Sequence, residues 1–446
     1  MDKLFGTDGI RAVAGTFPLD YNSVYALGRG LVRLLQKEGL SPFILIGRDT
    51  RESGIWLEEA LLQGIADEGG SAESAGVIPT SAISLLTKDE SFSAGVVISA
   101  SHNPYEHNGL KIFSGKGIKI PSTWEKYLEG YMQKFSGKGL PRNIFSPNSS
   151  RFTQNYLNFL KSRFSPAQPI KHMKIVCDCA NGSSSNYSAR LFSELGFEVI
   201  SICNNPDGKN INHLCGSLHP QKLVQTVLEN KADLGIAYDG DADRAIWVDE
   251  TGKILNGDHT LYILSGYLKE TKRLKSDFIV ATVMSNLGLE TALKEKDLKL
   301  LRTQVGDKFV LEAMLEIGAN LGGERSGHTI LLDECPTGDG LLTSLKILEA
   351  MLYYNSPLSQ LVNSYLEYPQ LLTNIKAQRR VDLQSIPEFR KVFQEITGKL
   401  GNNGRLHIRF SGTEPVVRIM IEGQDLNEIT NYAELMKTTL EKYLDS

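Results

Sequence analysis

Short apolar runs that stop in polar loops recur along this chain, and helical segments separate them. Phe43-Ile44-Leu45-Ile46-Gly47, Gly95-Val96-Val97-Ile98, Leu234-Gly235-Ile236-Ala237 and Phe278-Ile279-Val280-Ala281 are short, apolar and mostly rich in β-branched residues, as buried strands are. Between the strands, residues 22–39 carry Val24, Leu27, Leu31, Leu34 and Leu35 at helical spacing, with Gly39 placed to cap the end. Strands alternating with helices predict α/β layers with mainly parallel sheets over the first three-quarters of the chain. The end of the chain differs. Leu406–Phe410 and Val416–Ile421 read as two strands around a tight loop, and Ile429, Tyr432, Met436, Leu440 and Tyr443 mark one face of an amphipathic helix, an α+β pattern.

A chain of 446 residues is too long for one hydrophobic core. Glycine, proline, asparagine and serine crowd Ser136 to Ser150, so a boundary is expected near 150. Four units follow: residues 1–150, 151–255, 256–368 and 369–446. The first three look like copies of one plan, each ending a strand in a polar loop. Hydrophobic content of 41% with 22% charged residues is that of a soluble globular protein. A formal charge of −4 argues against general nucleic-acid binding. Five scattered cysteines without a Cys-X-X-Cys pair fit a cytoplasmic protein. The amino terminus lacks the pattern of a signal peptide, and no apolar run approaches the roughly 20 residues of a membrane span.

Two loops carry the strongest chemistry. Ser99-Ala100-Ser101-His102-Asn103-Pro104 places hydroxyls at the end of a buried strand. His102 is not expected to act on Ser101, because adjacent side chains usually point apart. Asp239, Asp241 and Asp243 alternate with small residues in Asp239-Gly240-Asp241-Ala242-Asp243-Arg244, so three carboxylates can converge on one cation. All-oxygen ligation suits magnesium, manganese or calcium rather than zinc. The competing reading is a solvated acidic turn, which is disfavoured because unpaired carboxylates at a strand end repel one another. Glu250 stands twelfth from Asp239, as in a calcium loop, but a strand intervenes.

Two further loops suit a phosphorylated sugar. Glu324, Ser326 and His328 alternate within a glycine-rich stretch and offer a carboxylate, a hydroxyl and an imidazole, unless the stretch is only a turn between strands. Arg409, Ser411, Thr413 and Arg418, with Gly412 in the turn, supply guanidinium forks and hydroxyls for a phosphate nest, unless they form an ordinary charged hairpin.

These four loops, in this order, resemble the α-D-phosphohexomutase superfamily over essentially the whole chain. Phe5-Gly6-Thr7-Asp8-Gly9-Ile10-Arg11, Pro206–Asn212, Cys215–Pro220 and Val305-Gly306-Asp307 are similar to its bacterial branch acting on glucosamine phosphates. The resemblance implies a four-domain molecule around a central cleft. It implies an isomerase in which phosphorylated Ser101 and Mg²⁺ on Asp239, Asp241 and Asp243 pass a phosphoryl group through a sugar 1,6-bisphosphate. Arg11, Lys111 and His328 approach the reacting groups in this family: Arg11 as charge stabiliser, Lys111 as acid or electrostatic partner, His328 as base. Arg244 is expected to orient phosphate. The partner implied is a phosphosugar, with the protein a monomer or homodimer. Ser99, Ala12, Arg325 and Phe410 depart from residues common in that branch, and Arg325 is expected to add a charge beside the sugar. A glucose or mannose phosphate mutase of mixed specificity, a metal-dependent phosphatase and a silent phosphosugar-binding protein are the alternatives.

Overall fold

A computed structural model of the protein describes residues 3–139, 149–170, 172–377, 379, 381–410 and 416–444. Four sheets follow one another along the chain. In the first, Phe43–Arg48 pairs in parallel with Ser71–Val77 and Ala94–Ile98. His107–Ser114, Gly9–Val13 and Phe5–Gly6 then add antiparallel strands on one side. In the second, Lys174–Asp178 pairs in parallel with Glu198–Ile202 and Leu234–Tyr238, and Ala245–Asp249 and Ile254–Leu255 continue antiparallel. In the third, Phe278–Thr282 lies parallel between Lys299–Thr303 and Leu321–Gly323, with Thr329–Leu331 antiparallel at the edge. The parallel pairing expected from the sequence is thus confined to one side of each of these three sheets. A return strand needs only a tight turn when it is antiparallel, whereas each parallel step requires a crossover helix.

The fourth sheet is wholly antiparallel: Gln370–Lys376, Val416–Gly423 and Gly404–Phe410, covered by helices Pro387–Leu400 and Leu426–Leu444. It packs its own core, including Phe389, Ile396, Ile419, Ile421, Met436 and Leu440. The first three sheets share one continuous core that runs from Leu45 through Trp247 to Tyr365. The last unit meets the third through polar contacts: Arg405, paired with Glu422, donates to the Ser285 carbonyl at 2.7 Å, and Asn286 Nδ2 donates to Glu422 at 3.3 Å.

The helix expected over 22–39 runs Tyr21–Lys37, with Asp20 capping the Ser23 amide and Gly39 left-handed just beyond its end. The stretch 140–148, including most of the expected boundary segment, lies outside the described residues. Among the described residues, no helix is long and apolar enough to cross a membrane.

Candidate active site

Two neighbouring strand ends build the centre of the site. Ala94–Ile98, buried throughout, delivers Ser101, and Leu234–Tyr238, equally buried, delivers the aspartates. Ser101 has φ 54°, a left-handed conformation that is uncommon for a residue with a side chain. That backbone turn aims its hydroxyl across to the second unit, where it donates to Asp239 Oδ2 at 2.5 Å. Ser101, Asp239 and Asp241 are fully buried.

The turn is held from behind. Asp49 and Arg51 form a buried ion pair. Arg51 Nη2 donates to the carbonyls of Ser101 and Asn103 at 3.1 and 2.6 Å, and Asn212 Nδ2 donates to the same two oxygens at 2.9 and 3.1 Å. Ser99 accepts from the Ser101 amide at 2.9 Å and donates to Asp49 at 2.6 Å, so its hydroxyl serves without the methyl of the commoner threonine. Gly240 lies against the Ser101 carbonyl so closely that a Cβ there would stand 2.6 Å from the oxygen.

One carboxylate oxygen from each of Asp239, Asp241 and Asp243 lies within 4.8 Å of the others. Oδ1 of Asp241 and Oδ1 of Asp243 are buried without a hydrogen-bond partner. A buried acceptor left unpaired is costly, and a hard cation resolves that cost, so the donor set fits a divalent metal. Lys111 and Thr80 supply the contacts present: Lys111 Nζ reaches Asp241 at 2.8 Å and Asp243 at 2.9 Å, and the Thr80 hydroxyl donates to Asp241 at 2.5 Å. Burial opposes the Lys111 charge, but Asp241, Asp243 and Asp8 outweigh it and hold its pKa well above the ordinary lysine value. Burial and its two neighbouring carboxylates push Asp239 well up. Glu250 takes no part; it accepts from Ser359 in a turn beyond the strand.

Arg11 pairs with Asp8 at 2.5 Å, and Asp8 also meets Lys111 at 3.1 Å and Lys119 at 2.5 Å. Lys119 continues to Asp307 of the third unit at 2.6 Å. His328 lies buried with Nδ1 3.6 Å from Asp243, while its Nε2 accepts from the Gly338 amide at 3.0 Å. Burial opposes the imidazolium, yet Asp243, Asp307 and Glu324 hold its pKa up at about 9. The Gly338 contact requires instead a neutral ring with its proton on Nδ1, and a cation on Asp243 would remove the strongest carboxylate pull against it.

His102 corrects the expectation that it points away. Because Ser101 turns left-handed, His102 Nδ1 comes 3.2 Å from the Ser101 hydroxyl and accepts from Arg244 Nη1 at 3.1 Å. Burial, with Arg244 beside it, pushes the His102 pKa down to about 3, so the ring is neutral at neutral pH. Arg244 is thereby tied to the serine loop as well as to Asp239, whose Oδ1 accepts from its backbone amide at 3.2 Å.

The outer loops are less tightly joined. Glu324 accepts from the Gly306 amide at 3.1 Å, and Ser326 is exposed. Arg325 clasps Asp258 at 3.1 Å and Glu367 at 2.5 Å, so its charge is spent within the third unit. Arg409 and Arg418 are register partners on neighbouring strands. Burial and the neighbouring Arg418 lower the Arg409 pKa. Ser411, Gly412 and Thr413 lie outside the described residues. Asp49, Arg51 and Thr80 join the site unannounced by the sequence, although Asp49 stands at a strand end like Asp239; Asn212 lies within the stretch Pro206–Asn212.

Models of the phosphoglucomutase/phosphomannomutase family match the chain in series: alpha/beta/alpha domain I over 2–137, domain II over 154–252, domain III over 256–368 and the C-terminal domain over 372–438. Among relatives, a phosphoglucosamine mutase of Caldicellulosiruptor bescii is 44% identical over 450 residues, covering 100% of each chain, and one of Syntrophus aciditrophicus is 41% identical over 448 residues, again covering 100% of each. A phosphoglucomutase/phosphomannomutase family protein from Burkholderia thailandensis shares the fold with a TM-score of 0.80 at 22% identity, over 99% of this chain and 97% of that one. The N-acetylphosphoglucosamine mutase of Aspergillus fumigatus does so at 0.66 and 16% identity, over 98% and 95%. Four matched domains in order and full-length identity above 40% make this chain a member of the phosphoglucomutase/phosphomannomutase family of α-D-phosphohexomutases.

Proposed function

We propose that the protein interconverts glucosamine 6-phosphate and glucosamine 1-phosphate, with Ser101 as phosphate carrier. The observation that supports this most is the buried Ser101 hydroxyl at 2.5 Å from Asp239, beside buried oxygens of Asp241 and Asp243 that lack a hydrogen-bond partner. The full-length relatives named phosphoglucosamine mutase favour the amino sugar.

In this reading the sugar 1-hydroxyl attacks phosphorylated Ser101, the P–Oγ bond breaks, and the 1,6-bisphosphate turns round. Its 6-phosphoryl group then returns to Ser101, so phosphate is conserved. Mg²⁺ held by Asp239, Asp241, Asp243 and a phosphoserine oxygen would supply positive charge to the transferring group. Arg11 and Lys111 add fixed positive charge on the same side. Arg244, braced by His102, orients the phosphate. Neutral His328 is the group able to accept the sugar proton, at the cost of its Gly338 contact. Glu324 and Ser326 hold sugar hydroxyls, and Arg409, Ser411, Gly412, Thr413 and Arg418 grip the phosphate that is not reacting. One holding site serves both orientations, which a turning intermediate requires and a phosphatase does not. Units 1–150, 151–255, 256–368 and 369–446 would contribute one loop each, and the reaction belongs in the cytoplasm.

The test is a comparison of kcat/KM for glucosamine, glucose and mannose 6-phosphates, with peptide mass spectrometry of Ser101. Preference for the amino sugar with partial phosphate on Ser101, both lost in Ser101→Ala, is expected. Preference for glucose or mannose phosphate would move the protein to the mixed-specificity mutases, and binding without turnover would make it a phosphosugar-binding protein.

A further inference from the structure

A second cluster of reactive groups lies in the second unit, away from the aspartates. Cys203 follows the strand Glu198–Ile202, and Cys215 stands at the far end of the loop that leaves it. Their sulfurs and one oxygen of Asp178 lie within 4.8 Å of one another. Cys215 is buried and Cys203 half-buried. Asn181 ties both ends of the loop: its amide donates to the Cys203 carbonyl at 2.6 Å, and its Nδ2 sits 3.8 Å from Cys215 Sγ. Cys203, Asn212 and Leu214 all have positive φ, so the loop is held in a shape that a free chain of such residues would not adopt.

Two chemistries suit two thiols and a carboxylate: a soft metal or a disulfide. The carboxylate is already engaged, with Oδ1 accepting from the Ala180 amide and Oδ2 from the Gly216 amide, both at 2.9 Å. Lys222 contributes positive charge near Cys203. That neighbour repels a cation and favours a thiolate. Cys215 lowers the Cys203 pKa; burial and the Asp178 carboxylate oppose this, and Lys222 assists it.

We propose that Cys203 and Cys215 form a reversible disulfide when a hydroperoxide reaches the loop. The Cys203 thiolate attacks the peroxide, forming an S–O bond as the O–O bond breaks and hydroxide leaves. Cys215 then attacks the sulfenic sulfur, the S–S bond forms, and the departing hydroxyl takes the Cys215 proton as water. A dithiol returns the two electrons and restores both thiols. The bond requires the sulfurs to approach to about 2.05 Å. It closes a ring around the segment bearing Asn212, which holds the Ser101 and Asn103 carbonyls, so the thiol state bears on the serine loop. The inference does not depend on which sugar the enzyme uses.

The test is to oxidise the full-length reduced protein with stoichiometric hydrogen peroxide, alkylate, and map the peptides. The expected result is a 203–215 crosslink, two fewer alkylated cysteines than before oxidation, and full reversal by dithiothreitol. Cys215→Ser should instead trap a sulfenic acid on Cys203 that a dione probe captures, and Cys203→Ser should leave Cys215 reduced. No crosslink, a crosslink to another cysteine or between molecules, or sulfenic acid arising first on Cys215 overturns the proposal. Stoichiometric zinc that survives dialysis and blocks the crosslink would overturn it in favour of a metal site.

Discussion

Replacing Gly240 by alanine tests whether Ser101 is placed by contact between the two strand-end loops. Gly240 does not use a positive φ, so alanine meets no backbone penalty there. The added Cβ would stand 2.6 Å from the Ser101 carbonyl oxygen, 2.8 Å from Ile211 Cδ1 and 3.0 Å from Asn212 Nδ2. Ile211 can rotate. The carbonyl cannot, because Arg51 and Asn212 both hold it. One loop must therefore retreat by about 0.8 Å to reach ordinary contact, at an overpacking cost of about 1–3 kcal/mol. The same displacement carries the Ser101 hydroxyl off its 2.5 Å contact with Asp239. A misplacement of about 1 Å at reacting atoms can cost on the order of 100-fold, so a fall in kcat of about 10- to 100-fold is expected. The assay is steady-state mutase turnover with glucosamine 6-phosphate and excess bisphosphate, beside circular dichroism and a melting curve. A folded Gly240→Ala protein with wild-type kcat would refute the argument that this contact places the nucleophile.

Three further perturbations follow from the same geometry. Mg²⁺ at about 100 times its Kd should stabilise the protein by about 2.7 kcal/mol, read as a rise in Tm that Asp241→Asn abolishes along with activity. Asn212→Ala removes two donors from the serine loop and should lower kcat/KM by roughly 10-fold, since two hydrogen bonds contribute about 1–3 kcal/mol and Arg51 retains its own; unchanged kinetics would show that Arg51 suffices. Gly130→Ala, within the helix Ser122–Lys134 and with nothing within 4 Å of the new methyl, should raise stability by about 0.5–1 kcal/mol in denaturant melts while leaving activity alone.

Much of the fold was legible because its determinants are local. Apolar runs such as Leu234–Tyr238 are buried throughout, and the spacing that marked residues 22–39 became a helix within two residues of the expected ends. The antiparallel flanks of the sheets were not legible, since a short strand reads alike whichever way its neighbour runs. In the site, the spacing of Asp239, Asp241 and Asp243 was readable, but a turn closed by the Ala242 amide on the Asp239 carbonyl, with Ala242 left-handed, shapes the loop that carries them. His102 failed the same logic because the sequence does not announce a left-handed Ser101, and Arg325 did because its partners, Asp258 and Glu367, lie on other elements.

The sequence by itself determined which residues stand at strand ends, and hence the inventory of hydroxyl, carboxylates and guanidinium groups. That follows from patterning within a few residues, where backbone geometry fixes direction. Tertiary structure decided what those groups meet. It joined Ser101 to Asp239 across 138 residues, set Lys111 on the aspartates, locked the serine loop with Arg51 and Asn212, and brought Cys203 beside Cys215. Such contacts depend on how separately formed layers pack, and packing is a property of the whole core rather than of any one segment.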